Sequence, residues 1–103
     1  MKTNQPWKFN LGHVVATPGA LALAEQDPSG AYAAIESLLD RHRAGDWGTV
    51  CADDAQANEN ALVDESRIFS AYVLAGEKVW IITEAVGDDG ARESTCVLLP
   101  EEY

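Results

Sequence analysis

Residues 67–83, RIFSAYVLAGEKVWIIT, carry the clearest structural signal in the chain. The first eight positions alternate between two sets of side chains with a period of two, which predicts a strand. Gly76 then marks a hairpin turn, and Val79 through Thr83 forms a second strand. Because residues 79–82 are apolar at every position, we expect them to form the central strand of a sheet, covered on both faces.

The residues that follow predict one more strand. Thr95 through Leu99 alternates again and Pro100 ends the run, while 87–90 reads Gly-Asp-Asp-Gly, a connection between strands. Near the start of the chain, residues 9–15 also alternate, although Gly12 weakens the pattern. That segment predicts a short strand at a sheet edge.

Between these strands the pattern changes to helical spacing. Thr17-Pro18 supplies the N-cap and first residue of a short first helix. Asp27-Pro28 repeats the arrangement and predicts a second helix through about Arg43. Asp53 or Asp54 is expected to cap a third helix to about Asp64, the least stable of the three because its apolar face is thin, consisting of Ala55, Ala61 and Leu62.

These elements together predict an α+β fold. An N-terminal short strand and two to three helices pack on a C-terminal three-stranded antiparallel meander, within a single domain spanning 1–103. The length of 103 residues suits one modest core and leaves no room for a second.

Charge is the most unusual property of the composition. The chain has 17 acidic and 7 basic residues, a formal net charge of −10. Residues 1–23 contain two lysines and no acid, whereas residues 24–66 contain ten acids and two arginines. Such a surface repels phosphate backbones, so direct nucleic-acid binding is not expected. An acidic face that merely keeps the protein soluble is the simpler interpretation.

The sequence predicts a cytoplasmic protein without a cofactor or a metal site. No apolar run approaches the length of a membrane span, and no signal-like stretch follows the first lysines. Cys51 and Cys96 are far apart and would remain thiols in a reducing compartment. The two histidines, His13 and His42, and the cysteines lie in different elements without metal-ligand spacing.

Several segments resemble a known protein family. They are 11–20 (LGHVVATPGA), 41–48 (RHRAGDWG), 67–72 (RIFSAY), 80–85 (WIITEA) and 97–103 (VLLPEEY). As an ordered set they resemble small bacterial proteins labelled plasmid-related or hypothetical, which are found on plasmids, integrative elements and phages. The resemblance implies an accessory role on a mobile element and brings no established activity. The inserted residues 86–90 depart from the family pattern and leave only Arg92 and Thr95 in register near that turn.

The end of the second helix is the strongest candidate for chemistry. Residues 41–48 bring an imidazole, two guanidiniums, a carboxylate and an indole together, from His42, Arg41, Arg43, Asp46 and Trp47. The His42 imidazole would suit proton transfer near neutral pH, and Asp46 could orient it. The simpler alternative is that His42 completes the buried stripe of its helix, Asp46 bonds the turn and Trp47 fills the core.

The predicted strands add polar groups to this candidate site. Ser70, Tyr72, Thr83 and Thr95 are expected on one face of the sheet, beneath His42. With Arg67 and Arg92, they would form a metal-independent pocket suited to a phosphodiester, in a fold weakly similar to barnase- and RelE-like ribonucleases. His42, Arg67 and Arg92 would be the catalytic residues.

Two functions of different classes therefore remain open. In the first, the protein is a non-catalytic module whose acidic helical surface docks onto a basic partner, such as a nucleic-acid-handling protein. In the second, it is a small ribonuclease-like enzyme, against which the net charge counts. A homodimer through Trp7, Tyr32 and Tyr103 is a further possibility if these aromatics are exposed.

Overall fold

The structure, a computed structural model, describes residues 7–103. It confirms the α+β class, with three helices and a four-stranded sheet in the described part of the chain. The elements in chain order are β1 (His13–Ala16), α1 (Pro18–Ala24), α2 (Ala31–Arg43), α3 (Ala52–Asp64), β2 (Ile68–Leu74), β3 (Glu77–Thr83), β4 (Ser94–Leu98) and a 3-10 turn (Pro100–Glu102).

The sheet has the order β1-β4-β3-β2. The antiparallel meander β2-β3-β4 is confirmed, and β3 is a central strand as its apolar sequence indicated. The sequence prediction missed that β1 joins the meander by parallel pairing with β4, which makes the sheet mixed. The edge position predicted for β1 is confirmed, but the strand begins at His13 rather than at Phe9.

A tight turn fixes the register of β2 against β3. Ala75 and Gly76 both have positive φ, 51° and 81° respectively, as a two-residue type I′ hairpin requires. The turn places Leu74 opposite Glu77 and Ile68 opposite Thr83. Consequently Ile68, Ser70, Tyr72 and Thr83 share one face of the sheet.

The N-terminus of α1 follows its sequence signal. The Thr17 side chain accepts a hydrogen bond from the Ala20 amide at 3.2 Å, and Pro18 occupies the first turn. Glu102 reaches the same end of the helix from the C-terminal turn. Its carboxylate accepts hydrogen bonds from the Gly19 amide at 3.0 Å and from the Thr17 hydroxyl. The first helix is thus held by residues from the other end of the chain.

Both of the other helix starts differ from the prediction. The Asp27 carboxylate accepts the Ser29 amide at 3.0 Å inside a separate turn, so α2 begins only after Gly30, at Ala31. Helix α3 begins at Ala52 after Cys51, which places Asp53 and Asp54 in its first turn instead of at its N-cap. Carboxylates in a first turn still stabilise the helix through its dipole.

The three helices cover one face of the sheet. The main core lies between α1, α2 and the strands, and a smaller cluster around Trp47, Ala61 and Ile68 lies beneath α3. The opposite face carries Phe69 and Trp80, whose rings meet edge to face at 5.0 Å between centroids, with Tyr103 beside them. Within residues 7–103, none of the helices has the length and apolarity that crossing a bilayer requires.

Candidate functional site

His42 lies in the middle of the molecule, between α2 and the sheet. Its side chain is 0% exposed. The ring meets Phe9 edge to face at 5.1 Å between centroids, and Trp47 lies at 6.3 Å. Because α2 presents His42 on its buried stripe and the two aromatic rings cover it, the imidazole has no contact with solvent.

Both ring nitrogens of His42 are hydrogen-bonded to hydroxyls of the sheet. Nδ1 lies 2.6 Å from the Ser70 Oγ and Nε2 lies 2.9 Å from the Thr83 Oγ1. The Thr83 hydroxyl is 2.7 Å from that of Thr95, which donates to the Leu11 carbonyl at 2.7 Å. All four side chains are buried. We call this set, Ser70–His42–Thr83–Thr95–Leu11, the polar chain.

The last acceptor of the polar chain determines the direction of each hydrogen bond between Leu11 and the Nε2 atom of His42. A carbonyl can only accept, so the single hydroxyl hydrogen of Thr95 is used on Leu11. Thr95 must then accept from Thr83, which in turn must accept from Nε2–H of His42. Nε2 therefore carries a proton. Nδ1 can accept from the Ser70 hydroxyl or, in an imidazolium, donate to it, and burial of the ring favours the neutral form that accepts.

The electrostatic environment agrees with this assignment. Burial lowers the pKa of His42 from 6.5 to about 3, and the nearby positive charge of Arg92 acts in the same direction. A histidine of this kind stays neutral across the physiological range. It cannot alternate between acid and base near pH 7, as the predicted catalytic role requires.

Arg92 is engaged by backbone carbonyls. Its side chain is 8% exposed, and it donates to the carbonyls of Ser66 at 2.6 Å, Glu84 at 2.9 Å and Ala61 at 3.2 Å. The Ala61 carbonyl lies in the last turn of α3, where a cation complements the helix dipole. Arg92 therefore links the end of α3 to the segments just before β2 and just after β3, which is a structural role.

Residues 41–48, at the end of α2, have the structural roles that the simpler of the two interpretations gave them. Asp46 pairs with Arg41 at 2.7 Å and accepts the Gly48 amide at 3.1 Å, so the expectation that Asp46 orients His42 is wrong. Trp47 is buried and donates its indole N–H to Glu59 on α3 at 2.9 Å. Arg43 stacks on Trp7 with 3.9 Å between the guanidinium carbon and the ring centroid.

Tyr72 joins this cluster from the sheet. Its hydroxyl donates to the Asp46 carbonyl at 2.6 Å, while the Arg41 guanidinium lies over its ring at 4.6 Å. Burial raises the pKa of Tyr72 to about 12. Ser70, Tyr72, Thr83 and Thr95 thus share one face as predicted, but that face is closed by α2 instead of lining a cleft.

Arg67 lies apart from the polar chain. It is exposed, donates to the Tyr103 hydroxyl at 3.0 Å and faces Glu84 at 3.6 Å. Arg67 and Tyr103 border a shallow pocket of about 270 Å³ on the uncovered face of the sheet, lined also by Phe69 and Trp80. The structure therefore does not bring His42 and Arg67 together.

Asn58 is a structural residue that the sequence analysis missed. It lies on the inner side of α3, buried, and its side-chain amide pairs with the outer edge of β2. The nitrogen donates to the Phe69 carbonyl at 2.6 Å, and the oxygen accepts the Phe69 amide at 3.0 Å. One sequence feature could have revealed Asn58: it is a polar residue three positions from both Ala55 and Ala61, and so lies within the predicted apolar face of the helix.

Two other surface pockets are both lined in part by Arg92. One of about 750 Å³ lies along the Glu84–Glu93 connection, and one of about 220 Å³ lies between the Phe9 segment and the end of α3. His42 lines neither of them. In the part of the chain that the structure describes, no three His, Cys, Asp or Glu side chains are close enough to hold a metal ion.

Comparisons with models of known families, with curated proteins and with solved structures found no match. The resemblance to mobile-element proteins therefore remains a prediction from the sequence.

Proposed function

We propose that the protein is a non-catalytic binding module, an accessory protein of a mobile element whose acidic helical surface docks onto a basic partner. The observation that carries the proposal is the sealed polar chain. His42 and the sheet hydroxyls, the groups best suited to chemistry, are buried and hydrogen-bonded to one another. What remains available to a partner is the charged exterior.

The distribution of charge supports docking through the helices. Residues 24–66 contribute ten of the 17 acids, and the first turn of α3 carries Asp53 and Asp54, both exposed. Glu36 projects from the exposed side of α2. A surface of one sign attracts partners of the opposite sign and speeds their encounter at low salt. A protein that binds the phosphate backbone of a nucleic acid has a positively charged surface of this kind.

The ribonuclease alternative has less support. Its acid/base residue would be an imidazole with no solvent contact, and Arg67 lies on the other face of the sheet. Incubation with total RNA tests it directly. Cleavage by the wild-type protein that is lost in His42→Ala, with both proteins folded, would favour the enzyme over the binding module.

Affinity capture from a bacterial lysate tests the docking proposal. We expect the wild-type protein to retain basic, nucleic-acid-binding proteins at low salt and to release them at high salt, because exposed charges are screened. Added duplex DNA should compete for the same captured proteins. Retention of no basic protein at low salt would contradict the proposal.

Two charge variants of equal size locate the surface. Asp53→Asn, Asp54→Asn and Glu36→Gln together remove three exposed acids from the helices. The matched control, Glu77→Gln, Asp88→Asn and Glu101→Gln, removes three exposed acids elsewhere. We expect only the helical variant to lose the captured proteins. Equal loss in both would indicate nonspecific attraction to a polyanion.

A further inference from the structure

The uncovered face of the sheet carries a small pocket with aromatic walls. Phe69 of β2 and Trp80 of β3 lie on that face, and Tyr103, after the 3-10 turn, stands beside Trp80. The pocket encloses about 270 Å³, whereas sites for whole small molecules are typically about 300–1,000 Å³. Its size therefore suits a single side chain. We call it the aromatic pocket; its lining residues are Asp54, Arg67, Phe69, Trp80, Ile82 and Tyr103.

The three rings stand at steep angles to one another. Phe69 and Trp80 are inclined by 85°, and Trp80 and Tyr103 are inclined by 68° with 5.9 Å between their centroids. Rings inclined in this way surround a hollow, whereas the bases of a single strand stack on flat ring faces. Because the face of an aromatic ring is electron-rich, aromatic rings around a hollow favour an ammonium or guanidinium group.

An acidic group borders the aromatic pocket. Asp54, in the first turn of α3, is one of its lining residues and is exposed. The ion pairs formed within residues 7–103 do not include Asp54. A carboxylate beside aromatic rings favours a cation over a neutral side chain of the same shape. Since Asp54 also belongs to the acidic helical surface, the pocket adjoins that surface.

Two basic side chains lie in or near the aromatic pocket. Arg67 lines it, but its guanidinium donates to the Tyr103 hydroxyl at 3.0 Å and faces the Glu84 carboxylate at 3.6 Å. Glu84 therefore offsets the charge of Arg67. Lys78 is exposed on the same face of β3 as Trp80 and lies outside the lining of the pocket. The charge that remains at the pocket is the carboxylate of Asp54.

We propose that the aromatic pocket binds one lysine or arginine side chain of the basic partner, with Asp54 as its counter-charge. This inference rests on the proposed docking function and gives it a specific anchor. The long apolar stem of such a side chain packs on the rings, and its charged head meets their faces and the Asp54 carboxylate. General charge attracts any basic protein, whereas a pocket for one side chain selects a position on the partner.

A titration with short peptides tests the aromatic pocket without any lysate. The probes are the capped tripeptides Gly-Lys-Gly, Gly-Arg-Gly and Gly-norleucine-Gly, observed through the indole N–H resonance of Trp80 by NMR. We expect saturable shifts with the two cationic peptides and at least roughly fivefold weaker binding of the norleucine peptide. Equal binding of all three would overturn the proposal. So would a shift caused by a single-stranded oligonucleotide and by none of the cationic peptides.

Two neighbouring carboxylates provide a matched pair of variants. Asp53 and Asp54 are both exposed in the first turn of α3, but only Asp54 lines the aromatic pocket. Asp54→Asn should weaken binding of the lysine peptide at least roughly threefold, and Asp53→Asn should bind it nearly as the wild type does. Equal weakening by the two variants would show that general negative charge attracts the peptide, and would overturn the proposal.

Two tyrosines provide a second pair. Tyr103 in the aromatic pocket is 73% exposed, and Tyr32 on α2 is 79% exposed, so neither substitution should unfold the protein. Tyr103→Leu should weaken the lysine peptide and the partner captured from lysate at least roughly fivefold, whereas Tyr32→Leu should leave both unchanged. Wild-type affinity in Tyr103→Leu would overturn the proposal.

The aromatic pocket and the docking function can fail separately. Peptide binding at Trp80, with no basic protein retained from lysate, would contradict the docking function and support the pocket as a site for cations. Basic proteins retained equally by wild type and Tyr103→Leu, with no peptide shift at Trp80, would overturn the pocket and leave the docking function standing.

Discussion

On β2 the outer backbone groups of Phe69 and Ala71 are bonded by other parts of the chain, whereas on β1 those of Val14 and Ala16 face away from β4 and have no strand beside them within residues 7–103. The Asn58 side chain satisfies both backbone groups of Phe69. Ala71 next to it donates to the Trp47 carbonyl at 3.2 Å and accepts the Thr49 amide at 2.7 Å. At Phe69 and Ala71 the β2 edge is thus closed by one side-chain amide and one short parallel segment.

This difference shows what closing a sheet edge requires. The segment at Trp47–Thr49 approaches β2 only because Gly48 has no side chain; a Cβ there would lie 1.9 Å from the Ala71 carbonyl oxygen. At the other edge Gly12 plays a similar part, since its Cβ would lie 2.4 Å from the Arg92 carbonyl oxygen. Gly12 lets β1 reach β4, but nothing comparable approaches β1 from outside in the described chain.

Gly48→Ala should have the largest effect on stability. The new methyl would collide with the Ala71 carbonyl at a residue whose φ is +75°, so residues 47–49 must leave β2. We expect a loss of about 3 kcal/mol or more in the free energy of unfolding, measured by guanidinium denaturation. The fluorescence of Trp47, which lies in that segment, should report exposure of its indole.

The matched control is Gly90→Ala. Gly90 also has a positive φ, +80°, but a Cβ there would have no neighbour within 4 Å. Only backbone strain applies, so the loss should be about 1 kcal/mol. If both variants lose equal stability, close approach to β2 is not the reason for glycine at position 48.

Asn58→Ala should have the next largest effect. It leaves the Phe69 N–H and C=O at the closed edge without their partners, which should lower the free energy of unfolding by about 2 kcal/mol. Deuterium exchange should show the Phe69 amide losing protection, and the exposed edge should make the variant more prone to associate.

Asn60→Ala on the same helix is the control for that prediction. Asn60 is exposed, and its side-chain oxygen accepts a hydrogen bond from the exposed Gln56 at 3.1 Å. Its loss should change stability by no more than about 0.5 kcal/mol. An Asn58→Ala protein as stable as Asn60→Ala would show that the side-chain amide does not close the β2 edge.

The smallest expected effect is the pH dependence of the free energy of unfolding that His42 causes. His42 belongs to the polar chain, which connects β2 with the residues before β1. The polar chain runs from Ser70 on β2 to Leu11 just before β1, through the neutral ring of His42. The pKa of His42 is lowered to about 3 in the folded protein, so the unfolded chain binds an extra proton below about 6.5. This contribution to stability is complete above pH 6.5 and is lost progressively as the pH falls toward 3.

Between pH 6 and pH 5, this one group should lower the free energy of unfolding by about 1 kcal/mol. Urea denaturation across that range measures it. His42→Gln should remove this part of the pH dependence, whereas His13→Gln, at the other and exposed histidine, should retain it. Identical pH profiles for wild type and His42→Gln would mean that His42 is not a buried neutral group.

Most of the local structure could be predicted from the sequence. The alternation at 68–74, the turn at Gly76 and the Thr17-Pro18 start of α1 depend on near neighbours in the chain, and all three are confirmed. The start of α2 was wrong because Asp27 closes a separate turn on Ser29 and Gly30 precedes the helix. An Asp side chain can bond the backbone of a turn as readily as it caps a helix, so the residue type alone did not decide between the two.

The candidate site could be predicted only in part: His42 and three of the sheet hydroxyls do come together, but Arg67 lies on the other face of the sheet and the cluster is not accessible. Spacing placed His42 over Ser70, Thr83 and Thr95, which the structure brings together. Whether that cluster opens to solvent depends on Phe9 and Trp47, which cover the ring from distant parts of the sequence. No periodic pattern encodes such long-range contacts, and the same limit explains why the parallel pairing of β1 with β4 was missed.

The contacts of Glu102 with the start of α1 have a consequence for synthesis on the ribosome. Thr17 and Gly19 bond to a carboxylate that is made more than 80 residues later, and the strand that pairs with β1 within residues 7–103 is β4, which is also made late. While the chain is being translated, the first strand and helix have neither partner. Contacts this distant in sequence form slowly because the intervening loop must first close. The strand β1 and the start of α1 should therefore become native only after β4 and Glu102 have been made.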